Sequence, residues 1–354
     1  MKKATGLNKR KQPEEDAEVY FPVDETSNEV DQAAVMFAYA EEHFDDPEKC
    51  VPLLNAVIHE CDRIGRIKEA LEEGEGLEGI DEDAIESLKA LKLDGKFYRV
   101  YGDALVTLGM LGKDEDIICE EQYLEAASQI YQTGLQLDNN DHYLKTSVKR
   151  IEIIRLIQDQ DPEYARATKE YCELIEQAPD RNDALQPAMR LFTRAFPLCE
   201  DPSAMATEVL RICPEADQRI PVVIVKLQAY YSLADSHFNY EECAEEKQKI
   251  LKFREYMDKA KELIDSLDLS AIEAESTDSH KALLPFIAQY YLSIGCLNEY
   301  ELEGPEATEN FDSLDYKKAI ELWKLMEDKY SVPIPCEIKE LESSIAQKNS
   351  LPEP

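Results

Sequence analysis

The sequence predicts an all-α protein: an irregular right-handed solenoid of antiparallel helix pairs, with about 12–13 helices. Two observations predict it. From Glu29 onward, apolar residues recur at spacings of three and four, and no stretch alternates as a half-buried strand would. Short polar breaks, most of them containing Asp and several Asp-Pro, separate these runs.

Taken in order, residues 1–28 are polar, contain Pro13 and Pro22, and are expected to form a disordered tail; "VYFP" at 19–22 could serve as a short docking element. A single helical domain is expected over 29–347, followed by a short tail at 348–354. The first pair reads as "EVDQAAVMFAYAEEHF", an Asp-Pro break, and "EKCVPLLNAVIHECDRI". An acidic Gly-rich loop, "EEGEGLEG", then precedes what reads as one long helix over about 82–111. Further breaks fall at 112–116, 137–141, 158–162, 178–183, 199–202, 213–221, 275–280 and 301–313. Asp or Ser before each run supplies a side-chain acceptor for the orphan N–H groups of the first turn, and Pro is preset for that turn.

Several pairs carry a more specific imprint. In "EYARATKEYCELIEQAPD", Tyr164, Ala167, Tyr171, Leu174 and Pro179 match the second helix of the tetratricopeptide unit, where a small residue admits the neighbouring helix and an aromatic fills the gap. Tyr316, Ala319, Trp323 and Met326 repeat the pattern, as do Ala127, Tyr131, Gly134 and Leu135. Leu108-Gly109 and Ile294-Gly295 supply the close-crossing glycine in the partner helices. The three aromatics Tyr131, Tyr171 and Trp323 are expected in the core. Their separations suit an array with insertions, although spacing of three and four is shared by any amphipathic helix.

The chain carries 75 acidic and 39 basic residues, a formal net charge of -36. Such a field repels phosphate backbones and anionic bilayers, so no direct nucleic-acid or membrane partner is expected. No apolar run approaches the ~20 residues of a membrane span, and no apolar segment follows the basic start as in a secretory signal. The nine cysteines are scattered and never form C-x-x-C; they read as reduced, mostly core thiols of a nuclear or cytosolic protein.

Catalytic patterns are missing. "GEGLEG" at 74–79 has the letters of a dinucleotide fingerprint, but a helical run precedes it and four glutamates would repel a pyrophosphate. His59-Glu60-Cys61 point apart on a helix, and the acidic clusters at 81–83 and 114–116 lack the spacing of a calcium loop. No catalytic residue, metal or cofactor is expected.

Two charge contrasts remain. Residues 142–197 hold as many basic as acidic groups, and Lys145, Lys149, Arg155, Arg190 and Arg194 fall on predicted first helices, which line the concave face of a solenoid. They are the candidate groove residues for an acidic or C-terminal peptide, with intrachain pairing as the competing reading. Lys2, Lys3, Lys9, Arg10 and Lys11 form a basic start without an acidic residue, the candidate nuclear-targeting element.

The opening "ATGLNKRKQ", the acidic stretch after it and the degenerate helix pairs resemble a fungal family of negative regulators of a nuclear prolyl 2-oxoglutarate dioxygenase, described in budding yeast as an enhancer of translation termination. Members begin with a basic segment built around Gly-Leu-Gly-Lys; Gly6-Leu7-Asn8-Lys9 stands there, with Asn for the second Gly. The resemblance implies a non-enzymatic, TPR-like adaptor of nucleus and cytoplasm that binds the dioxygenase and assists its nuclear import through an importin. It also implies that the adaptor restrains the dioxygenase's action on a sterol/hypoxia transcription factor, with a link to translation termination. A monomer is expected. The alternative is a co-chaperone-type module capturing an acidic C-terminus, but Val106 and Met110 stand where its Lys/Asn clamp would be.

Overall fold

The computed structural model describes residues 28–44, 46–74, 82–112, 117–239, 246–267, 278–301 and 314–350. Among them are fourteen α-helices and no strand. They are α1 (Glu29–Glu42), α2 (Pro47–Glu73), α3 (Glu82–Ala90), α4 (Gly95–Met110), α5 (Glu121–Leu137), α6 (His142–Gln158), α7 (Tyr164–Gln177), α8 (Arg181–Ala195), α9 (Ser203–Ile212), α10 (Ile220–Asn239), α11 (Glu246–Asp265), α12 (Asp278–Glu301), α13 (Leu314–Tyr330) and α14 (Cys336–Ser350). A 3-10 turn, Phe196–Leu198, extends α8.

The all-helical, pairwise architecture read from the sequence is the one observed. α1 packs on α2, α4 on α5, α6 on α7, α10 on α11 and α12 on α13. The first helices also pack on one another in series, α1 on α4, α4 on α6, α6 on α8, α8 on α10 and α10 on α12. The pair built on α8 departs from the rule, because the short α9 packs on α7 and α10 instead.

Side-chain caps explain five of the helix starts. Asn28, Asp46, Asp94, Asp141 and Asp180 each accept a first-turn N–H, and Pro47 sits in the first turn of α2. The caps of α5, α7 and α9 (Glu120, Glu163 and Pro202) make no such side-chain bond. The expected long helix over 82–111 is two helices. Asp94 accepts from the N–H groups of Lys96 and Phe97 and starts α4 afresh. Lys68 donates to the carbonyls of Leu88 and Leu91 and closes α3. Gly74 ends α2 at φ 74°, and residues 75–81 of the acidic loop lie outside the described residues, as does the tail 1–27.

The core runs through the pairs as overlapping clusters. α4 contributes to the one it shares with α1 and α2 and to the one it shares with α5–α9. α10 is buried on two sides: Val222, Val225 and Ala229 face the central cluster, and Val223, Ile224 and Leu227 face α11–α13. That is what a helix hydrophobic around most of its circumference does. Val106 and Met110 are buried in the central core.

The close crossings occur where the glycines predict. A Cβ on Gly109 would lie 2.5 Å from the Cys119 sulfur, and one on Gly295 would lie 2.5 Å from the ring of Tyr316. Gly102, which the motif reading passes over, is tighter still at 2.2 Å from the ring of Tyr131. Ala127, Ala167 and Ala319 are buried beside the aromatics Tyr131, Tyr171 and Tyr316. Trp323 differs from expectation: it is only half-buried, between two clusters, and its ring N–H has no partner among the described residues. Cys50, Cys61, Cys119, Cys172 and Cys213 are buried core thiols, and burial pushes Cys61, Cys119 and Cys213 up to about 12. Cys296 and Cys336 are exposed.

Glycine contacts set opposite expectations for two alanine substitutions. Gly65 has nothing within 4 Å of an added Cβ, so Gly65→Ala stabilises by about 0.5–1 kcal/mol through helix propensity. Gly102→Ala meets a fully buried ring and destabilises by about 1–3 kcal/mol. Urea denaturation of the two variants checks the sign of each.

Candidate functional site

Four helices build one cleft. α1 supplies Ala34, Phe37, Ala38 and Glu41; α4 supplies Lys96, Arg99, Val100 and Asp103; α6 supplies Tyr143, Thr146, Ser147 and Arg150. Each set is spaced i, i+3, i+4, i+7, a single stripe down one helix face. Asp183, Ala184, Gln186 and Pro187 of α8 close the fourth side, Tyr171 of α7 reaches the floor, and the cleft measures about 220 Å³. Its lining holds three cations and three carboxylates, a local balance in a chain of net charge -36.

The floor is a buried polar triad. The Tyr131 hydroxyl donates to Asp103 Oδ1 at 2.6 Å, and Arg150 Nη2 donates to the same oxygen at 2.6 Å and to the Tyr131 oxygen at 3.0 Å. The side chains of Arg150 and Asp103 are only 4% and 10% exposed. Burial works to lower the pKa of Arg150, but the charges of Asp103 and Tyr131 outweigh it, so the group is held charged. Burial, with Asp103 adding to it, raises Tyr131 well above its ordinary value, so it stays protonated. Arg150 Nε is buried and has no hydrogen-bond partner among the described residues.

A second arginine lines the wall and a third stands at the cleft edge. Arg99 lies over the Tyr143 ring, 4.6 Å from its centroid, with the nearest carboxylate, Asp183, at 3.7 Å. Arg190 of α8 pairs with Glu41 of α1, donates from Nη2 to the Glu41 carbonyl at 3.1 Å, and lies 4.9 Å from the Phe44 ring centroid. Burial raises the pKa of Glu41 and Arg190 pulls against that rise.

None of the five groove residues read from the sequence lines the cleft. Lys149 pairs with Glu152 at 2.8 Å and Glu170 at 2.7 Å, and Arg155 pairs with Glu121 at 2.6 Å. Arg190 sits at the cleft edge, tied to Glu41, and Arg194 donates to the carbonyls of Met110 and Ile118. Lys145 is exposed. The reason is rotational: each residue advances about 100° around a helix, so Lys145 lies about 200° from Tyr143. A count of charges per segment does not distinguish faces. The residues it missed, Arg99 and Arg150, are legible as cations within the i, i+3, i+4, i+7 stripes of α4 and α6. The tail residues Lys2, Lys3, Lys9, Arg10 and Lys11 lie outside the described residues.

Fold and cleft together define a class: a helical-repeat protein whose first helices enclose a charged cleft large enough for one or two side chains. Residues 1–171 match the model of the family described as nuclear pore complex subunit Nro1. The chain is thus similar to that family over its N-terminal half, which bears out the resemblance read from its opening and its helix pairs. A solved structure, described as the hypoxic regulator of sterol synthesis Nro1, a nuclear import adaptor, is 15% identical with a TM-score of 0.46. The alignment covers 90% of this chain and 93% of that one. No curated protein matches the sequence.

The triad sets a stability expectation. Asp103→Ala leaves the Arg150 charge buried and alone and costs about 3–5 kcal/mol. The double variant Asp103→Ala/Arg150→Met recovers much of that loss. Chemical denaturation of the single and double variants reads both effects.

Proposed function

We propose that this protein is a non-enzymatic adaptor whose cleft holds a segment of a partner protein. The partner is a 2-oxoglutarate/Fe(II) prolyl dioxygenase. The adaptor acts as a monomer in nucleus and cytoplasm. It promotes nuclear localisation of the dioxygenase through an importin and restrains its action on a hypoxia/sterol transcription factor, with a consequent link to translation termination. One observation carries this reading: α1, α4 and α6, which supply most of the cleft lining, lie within the segment that matches the Nro1 family. The description of that family as a nuclear pore complex subunit, and of the solved structure as a nuclear import adaptor, agrees with the proposed route. The mechanism is occupancy. A segment held in the cleft travels with the adaptor and is withheld from other partners. The basic start supplies the address, since Lys2, Lys3, Lys9, Arg10 and Lys11 form a cationic element on an acidic chain that an acidic import receptor can meet.

The test separates cleft from tail. Ala38 is exposed and lines the cleft, so Ala38→Trp fills it without disturbing the core. Binding of a purified prolyl dioxygenase, measured by calorimetry, is expected to weaken at least about tenfold, a loss of about 1.4 kcal/mol. Deleting residues 2–11 is expected to leave that affinity unchanged and to reduce the nuclear fraction of the protein in cells. No binding by the unaltered chain overturns the partner, and unchanged binding by Ala38→Trp overturns the cleft.

A further inference from the structure

We propose that the cleft recognises one acidic side chain of the partner segment, an aspartate or glutamate carboxylate held by Arg99 with Arg150 behind it. This deepens, and rests on, the reading of the cleft as the partner-binding groove.

The donors on this cleft are in surplus. An arginine presents five N–H groups in a rigid fork that matches a carboxylate. Arg99 makes no hydrogen bond among the described residues; its contacts are the face of Tyr143 and an ion pair at 3.7 Å with Asp183. Its side chain is only 28% exposed. The guanidinium is therefore held over the ring on a side chain that is mostly buried, with its hydrogen-bond donors unspent. Arg150, on the neighbouring helix and lining the same cleft, spends Nη2 on Asp103 and Tyr131 and leaves Nε without a partner among the described residues. Burying donors in this way costs free energy that an incoming acceptor returns.

Two of the three carboxylates of the lining already hold an arginine. Asp103 receives Arg150 and Tyr131, and Glu41 receives Arg190. Lys96, the remaining cation of the lining, is bound to Asp31 at 2.5 Å. An entering lysine or arginine would have to compete with Arg150 for Asp103 and with Arg190 for Glu41, and the remaining carboxylate of the lining is Asp183. That residue stands beside Arg99, and its side chain is 55% exposed. It occupies the place an incoming carboxylate would take and can yield to solvent. Selection for acidic over basic side chains follows from this imbalance between carboxylates already paired with arginines and guanidinium donors without a partner.

The experiment uses the purified full-length chain and a displayed random-peptide library. Peptides that lose binding to Ala38→Trp are taken as cleft ligands. They are expected to share one Asp or Glu at a fixed position. In fluorescence anisotropy, changing that residue to its amide is expected to weaken binding at least about tenfold. Arg99→Gln, with circular dichroism unchanged, is expected to cause a similar loss that does not add to the first. Asp183→Asn, which removes the resident competitor, is expected to tighten binding about threefold. Cleft ligands with no acidic requirement, or with a basic one, overturn the carboxylate site and leave the adaptor reading standing. Peptides that ignore Ala38→Trp, or no peptide at all, overturn the cleft as a groove and this inference with it.

Discussion

The buried charge pair between Asp103 and Arg150 is the constraint on which the N-terminal half depends. Neither ion is tolerable at that depth without the other, because desolvating a lone charge costs several kcal/mol. Their meeting through Tyr131 therefore fixes the relative position of three helices, α4, α5 and α6. Gly102 is the steric condition for the arrangement, since any side chain there would displace the tyrosine ring. A pair of this kind adds little net stability over an apolar replacement; its service is register. It also leaves a buried cation on the cleft, because satisfying Asp103 requires a guanidinium but uses only part of one.

Long-range bonds from α8 brace the same region. Arg190 reaches Glu41, 149 residues earlier, and Arg194 reaches the carbonyl of Met110, 84 residues earlier. The first bond joins the outer helix of the array to the fourth pair across the cleft. The second satisfies a carbonyl at the C-terminus of α4, where the helix leaves its last acceptors unpaired and a cation is favoured. The cleft is thus walled on one side by α1, which the first bond ties to α8. Its width is set by arginines that, on charge counting alone, look like ligand-binding groups.

The fold was legible because its signals are local and redundant. Period-three-and-four spacing, Asp N-caps and the glycine opposite an aromatic at Gly295 each point to helices in pairs, and each recurs. The break at residues 91–94 was not legible, because Leu91 and Leu93 continue the apolar pattern across it; only the capping by Asp94 and the reach of Lys68 from α2 reveal the stop. The cleft was legible in its residue types and not in its membership. Basic residues in 142–197 were counted along the chain, whereas recognition depends on which face they occupy. Arg150 looked like one of nine such cations, and its partner Asp103 lies 47 residues away on another helix. Face and partnership are tertiary facts, and no single-helix pattern contains them.

An acidic chain with a guanidinium-lined cleft makes a specific demand on whatever binds it. At long range the net charge of -36 repels an acidic segment. Physiological salt confines that repulsion to about 8 Å, so it acts on the approach and hardly on the contact inside a desolvated cleft. A segment acidic along its length would be turned away before its carboxylate reached Arg99. One acidic residue set among neutral or basic neighbours escapes that barrier and still completes the fork. The surface field and the cleft therefore select on different properties, the field on the overall charge of the segment and the cleft on a single position within it. Discrimination of this kind combines repulsion of the wrong partner with a bond to the right one. It also means that added salt would speed encounter between this chain and an acidic segment, the reverse of the slowing seen where opposite charges steer association.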